Sequence, residues 1–108
     1  MKLLLAIVQD EDAGKVMNEL NKNGFMVTKL SSTGGFLKAG NTTLLLGVED
    51  AQVDAALAII ESRSKSRRKT IHANFPTANG SMVMPVSTEI TVGGATVFLL
   101  NVEDYKKF

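Results

Sequence analysis

Residues 2–8 are apolar on both alternating sets, with Leu3, Leu5 and Ile7 on one and Leu4, Ala6 and Val8 on the other. That pattern describes a strand buried on both faces. The period then changes. From Asp12 to Asn23, Ala13, Val16, Met17 and Leu20 recur at helical spacing, and Gly24 stands where a left-handed C-cap would end a first helix. Phe25 to Thr33 returns to β-formers and stops at Gly34 and Gly35, and Thr42 to Val48 is a second β-rich run. The two predict a hairpin around a glycine-containing loop.

After Glu49, Asp50 is placed to cap a second helix whose stripe is Val53, Ala56, Leu57 and Ile60, with Arg63 and Lys65 at its far end suiting the negative dipole pole. Arg67 to Val83 is polar, contains Asn79 and Gly80, and reads as a long loop with a short strand at Thr70 to Ala73. Val86 to Val92 and Ala95 to Val102 read as closing strands separated by Gly93 and Gly94. The order β-α-β-β-α followed by strands is that of an α+β, ferredoxin-like (βαββαβ) sheet with two helices on one face, extended by an additional strand and a long loop after the second helix. Two helices cover one side of a sheet, yet the first strand and Ala95 to Leu100 are apolar on both. Each leucine-sized side chain left in water forfeits about 1.5 to 3 kcal/mol. A second copy of the chain is the simplest cover, and a closed ring with sheets facing its axis is the expected assembly.

Composition narrows the function classes. The 108 residues suit one domain over 1–108, small enough that sharing surface between copies is favoured. The absence of cysteine removes disulfides, thiolate metal sites and cysteine nucleophiles, and fits a reducing, cytoplasmic compartment. The apolar run at the N-terminus is too short for a signal sequence or a membrane span. A net charge of +1 gives no field that argues for nucleic acid or a membrane surface.

Candidate chemistry is sparse. His72 is the lone histidine and lies outside any nucleophile motif, so a catalytic triad is poorly supplied. Asp10, Glu11 and Asp12, with Glu49 and Asp50, offer oxygen ligands for a hard cation, but both groups precede helices, and capping is the favoured reading. The basic run Arg63, Lys65, Arg67, Arg68 and Lys69 lacks interleaved aromatics and reads as a solvated helix end. The informative stretch is 33–43, Thr-Gly-Gly-Phe-Leu-Lys-Ala-Gly-Asn-Thr-Thr. Its glycines permit amides to converge on an anion, Phe36 offers a face for a base, and Asn41 matches an adenine edge by donating and accepting at once. An ordinary hairpin turn, with Phe36 folded back onto the sheet, explains the same residues equally well.

The strings MKLLLAIVQDED, VTKLSSTGGFLKAGNTTLLLGVED and VGGATVFLLNVE closely resemble the PII-like cyclic-di-AMP receptor proteins of Gram-positive bacteria, over nearly the whole chain. The most specific part is TGGFL-x-x-GNTT followed by GVED and, further on, VGGATVF. The resemblance implies a homotrimer with one cyclic-di-AMP in each inter-subunit cleft. It also implies ligand contacts at Thr28, Gly35, Phe36, Leu37, Asn41 and Gly47, with the Gly93–Gly94 turn at the cleft. Phe36 would stack on an adenine, Asn41 and Thr28 would bond the base, and the backbone would approach closely at Gly35, Gly47 and Gly94. At Met26 the chain departs from the family's arginine, which removes a charge-assisted contact of about 1.5 to 3 kcal/mol.

The expectation is therefore a cytoplasmic, non-enzymatic receptor that needs no cofactor beyond its ligand cyclic-di-AMP. It would switch loop conformation on binding and be read by an unidentified downstream protein, without nucleic acid or membrane partners. Two alternatives are a PII-type regulator binding ATP and 2-oxoacids, which the short loop between the second and third strands disfavours, and an oligomeric metal-dependent enzyme using the acidic residues.

Overall fold

The computed structural model describes residues 1–30, 40–76 and 83–108, with side chains placed except at 73–76 and 83–86. Among them the elements run β1 (Lys2–Gln9), α1 (Asp10–Lys22), β2 (Thr28–Leu30), β3 (Asn41–Val48), a 3₁₀ turn (Asp50–Gln52), α2 (Val53–Ser64), β4 (Arg67–Pro76), β5 (Val83–Val92) and β6 (Ala95–Asn101). A four-stranded sheet is ordered β2-β3-β1-β6 with every neighbour antiparallel, and β4 pairs with β5 as a separate antiparallel ribbon. This mixed α+β arrangement is compatible with a ferredoxin-like, PII-like fold. No helix among the described residues is long and apolar enough to cross a membrane.

The doubly apolar β1 takes the interior position its sequence requires. Opposite residues of antiparallel strands share a face. Leu4, Ala6 and Val8 lie against Leu46, Leu44 and Thr42 of β3 on the helix side, and all six are buried. They meet Ala13, Val16 and Leu20 of α1 and Ala56 and Ile60 of α2 in one cluster. The expected stripes of both helices therefore form the core. Gly24 ends α1 at φ +85°, with the Phe25 N–H reaching back to the Leu20 carbonyl at 3.0 Å, a left-handed C-cap that turns Phe25 into the core. Phe25 was expected in the second strand. The cap takes it instead, and the described part of β2 shortens to three residues.

The other face of the sheet carries the remaining alternate set. Leu5 of β1 registers against Leu45 of β3 and Phe98 of β6, and Leu3 against Gly47 and Leu100. Phe98 and Leu100 are exposed, each by more than two-fifths. Among the described residues this face thus keeps large apolar side chains partly in contact with solvent.

One expectation is corrected outright. Arg67–Pro76 is not a loop with a short strand but a ten-residue strand, and β5 begins three residues earlier than the hydrophobic run suggested. The two register from Arg67 opposite Val92 to Pro76 opposite Val83, and they pack chiefly against each other. Polar strands are possible here because a two-stranded ribbon leaves both faces near solvent. Salt bridging of Arg68 to Glu89 at 3.2 Å and a His72–Ser87 hydrogen bond at 3.0 Å tie its strands together.

Candidate ligand-binding site

Of the residues carried over from the resemblance, Thr28, Asn41 and Gly47 come to one face of the β2–β3 pair. Thr28 sits directly opposite Leu45, and Asn41, Leu45 and Gly47 alternate along β3, so all point to the side away from the helices. Asn41 is buried at the head of β3, opposite Gln9. Gly47 lies at the other end, opposite Leu3. Among the described residues a Cβ added there would meet nothing nearer than the Met1 Sδ at 3.8 Å, so no described contact demands a glycine. Met26 precedes β2 and is 83% exposed. Gly35, Phe36 and Leu37 lie outside the described residues.

The Gly93–Gly94 turn is at the opposite edge of the sheet. It feeds β6, and β3 and β1 stand between it and β2, a separation of about 14 Å across three strand spacings. Both glycines have positive φ, +82° and +99°, which favours residues without a Cβ. The Gly93 N–H donates to Gln9 Oε1, and the Gly94 N–H donates to the Ser64 carbonyl at the end of α2. Beside Gly94 opens a cleft of about 510 Å³ lined by Leu57, Ile60, Ser64, Lys65 and Val97. Thr28, Asn41 and Gly47 do not line it. A second cleft, of about 330 Å³, lies between Gln9, Asp10 and Gly40 on one side and Ile90 and Val92 on the other. Asn41 and the Gly93–Gly94 turn thus flank the same end of β1, through Gln9, while Thr28 and Gly47 lie further along β2 and β3.

The acidic and basic clusters behave differently from the capping and solvation readings. Both helices start without a side-chain cap: Gln9 stands at the N-cap of α1 and Gln52 at that of α2. Asp10 Oδ1 accepts the Thr42 hydroxyl at 2.7 Å, and Asp50 pairs with the Met1 ammonium at 3.1 Å. Asp12 is fully buried and receives Arg67 in bidentate fashion, Nη2 to Oδ1 at 2.8 Å and Nη1 to Oδ2 at 3.2 Å, with Lys15 Nζ at 3.2 Å. Glu11 adds a contact to Arg67 Nη2 at 3.3 Å. Arg67 is thus a partner of a buried carboxylate and not part of a solvated run. Among the described residues no three metal-ligating side chains converge on a cation position.

Burial by itself pushes the Asp12 carboxyl up, but the hydrogen bonds and charges of Arg67 and Lys15 outweigh it and hold the group below its ordinary value of 3.8. The bond to Asp12 raises Arg67 in turn. A carboxyl depressed in the folded state contributes stability above its unfolded pKa and loses it as pH falls through the folded value. Because Arg67 is more than one-third exposed, the pair is worth less than a fully buried one. Asp12→Asn should therefore cost about 2 kcal/mol near neutral pH, and the cost should shrink as pH falls below 3.8 toward and through the lower folded-state value. Urea melts from pH 7 to pH 3 check this, with the two proteins converging as acid is added; parallel curves would contradict it.

A family model described as cyclic-di-AMP receptor matches residues 1–108, the whole chain. The crystal structure of a functionally unknown protein from Pediococcus pentosaceus superposes with a TM-score of 0.78 at 38% identity, over 99% of this chain and 96% of that one.

Proposed function

Because the chain belongs to the cyclic-di-AMP receptor family, we propose that it is a signal-transduction protein that binds this dinucleotide as a homotrimer of ferredoxin-like protomers, one ligand in each inter-subunit cleft. The observation that carries the reading is the separation of these positions on the sheet. Thr28 and Gly47 lie along β2 and β3 while Gly93–Gly94 feed β6 across β1, and a neighbouring copy laid on this face would bring its own residues to the gap between them. The apolar face turned from the helices supports the same assembly, since Leu3, Leu5 and Leu45 are only half-buried and Phe98 and Leu100 exposed among the described residues, and a surface of equal polarity would bury them further. Gly47, with space for a Cβ, is explained by the approach of something from outside the protomer.

In this site Phe36 stacks on an adenine, Asn41 and Thr28 bond its edge, and Gly35, Leu37, Gly47 and Gly94 allow close contact. Met26 leaves the phosphates without an arginine from this position. Binding stabilises the trimer by linkage and switches the conformation of the glycine loop, and a downstream protein reads the change. The protein works by binding and needs no catalytic group. Calorimetric titration tests the function: cyclic-di-AMP should give saturable heat with one ligand per protomer and ATP none, while no heat at high micromolar dinucleotide would reject it. In the same assay Phe36→Ala should weaken binding by about 1 to 3 kcal/mol without dissociating the trimer. Equal affinity would mean that the ring only packs.

A further inference from the structure

Four consecutive residues at the junction of β1 and α1 hold three other segments of the chain. Gln9 accepts the N–H of Gly93, where the β4–β5 ribbon returns to the sheet. Asp10 holds the end of the glycine loop twice, its N–H donating to the Gly40 carbonyl at 3.1 Å and its carboxylate accepting the Thr42 hydroxyl at 2.7 Å. Gly40 presses so closely on this carboxylate that a Cβ there would come within 2.5 Å of Asp10 Oδ2. Glu11 and Asp12 grip Arg67, the first residue of β4. On its far side Arg67 Nη1 donates to the Lys65 carbonyl at 3.3 Å and abuts Gly93.

Asp10 to Asp12 form the first turn of one helix, so they move together. Among the described residues the ribbon has few other attachments, as its strands pack chiefly on each other. A displacement of the loop end at Gly40 is therefore shared with the ribbon base through this turn. We infer that the Gln9–Asp12 junction is a mechanical coupler that links the position of the Gly40–Thr42 segment to the set of the β4–β5 ribbon base. This deepens the receptor reading and rests on it for its biological sense: the dinucleotide would act on the loop, and the ribbon would carry the change outward. Arg67 and Thr42 are positioning residues in this scheme, since neither belongs to the proposed ligand contacts.

Hydrogen exchange of the full-length protein, read by mass spectrometry at residues 67–72 and 87–92, tests the coupling without ligand. Thr42→Val, which removes the hydroxyl bond to Asp10 at the loop end, should speed exchange at the ribbon base by about threefold, the scale of change expected for a residue along a coupled path. Thr42→Ser, which keeps the hydroxyl, should not. In an Arg67→Met background Thr42→Val should add nothing. Ribbon exchange unchanged by Thr42→Val, or changed equally in both backgrounds, would overturn the inference. With cyclic-di-AMP added, wild type should show altered exchange at the ribbon base, and Arg67→Met should bind the ligand while losing that response. A response retained in Arg67→Met would also overturn it. Absence of ligand heat in wild type would instead sink the receptor reading, while the ligand-free comparison still decides the coupling.

Discussion

Replacing Phe98 by aspartate is expected to dissolve the assembly into protomers and to weaken dinucleotide binding at least about a hundredfold. Thr28, Leu45, Leu5 and Phe98 form one row across the face of the sheet turned from the helices, from β2 to β6. Phe98 is 42% exposed in the protomer, so a carboxylate there still reaches water in the isolated fold. Once a second copy closes over it, the same carboxylate is an unpaired charge in an apolar seam, at a cost of about 3 to 5 kcal/mol per contact. That cost falls on association and not on folding. Light scattering should report the protomer mass, circular dichroism should stay native, and calorimetry should lose the ligand heat. A variant that keeps both the wild-type mass and its affinity would mean that the face is not shared.

Gly93→Val should destabilise the protomer by about 3 to 5 kcal/mol, the largest single-residue effect on folding. Two causes add. The backbone sits at φ +82°, which costs a residue with a Cβ about 1 to 2 kcal/mol and a β-branched one more. The new Cβ would also stand 2.5 Å from Arg67 Nη1 and 2.7 Å from the Lys65 carbonyl oxygen, and pushing Arg67 aside strips the buried Asp12 of its main partner. Gly47→Ala is the contrast: a strand position with room for the methyl, it should change protomer stability by less than about 1 kcal/mol and show its effect in ligand affinity. Thermal and urea melts distinguish the two, and equal losses would contradict the account of both glycines.

What could be read from the residues follows from how local the governing rule was. The strand apolar on both sides, the stripe of α2 and the C-cap at Gly24 rest on periodicity and one backbone conformation, and all appear as expected. The ribbon was missed although its alternation is present: Lys69 and Ile71 share one face, Arg68, Thr70 and His72 the other. With Pro76 and Asn79–Gly80 following, and no core for the strand to enter, that alternation carried less weight than the polarity of the segment. The Asp12–Arg67 pair was invisible for a different reason. Its partners are 55 residues apart, and the local rule for acidic residues before a helix, capping, gave a sufficient and wrong explanation. For the site, composition left the stretch 33–43 balanced between a nucleotide loop and a plain hairpin. The resemblance to known receptors supplied the residues, and the strand order places those that are described: Thr28 on β2, Asn41 and Gly47 on β3, and the Gly93–Gly94 turn beside Gln9 of β1.

The proposed sharing of the site between copies gives the account its sharpest test. On the proposed reading Phe36→Ala weakens the side that includes Asn41, and Gly94→Asn crowds the other, asparagine being the side chain that best tolerates positive φ. If each cleft of a cyclic trimer takes one side from each of two neighbours, randomly mixed protomers of the two variants form some clefts with both sides intact. Three-quarters of 1:1 trimers are then mixed, each with one good cleft in three, so about one quarter of the wild-type binding capacity should return at wild-type affinity. Calorimetry on the two variants alone and after subunit exchange measures it. Recovery near that fraction is the predicted result; a mixture that binds no better than its parents would contradict a shared site.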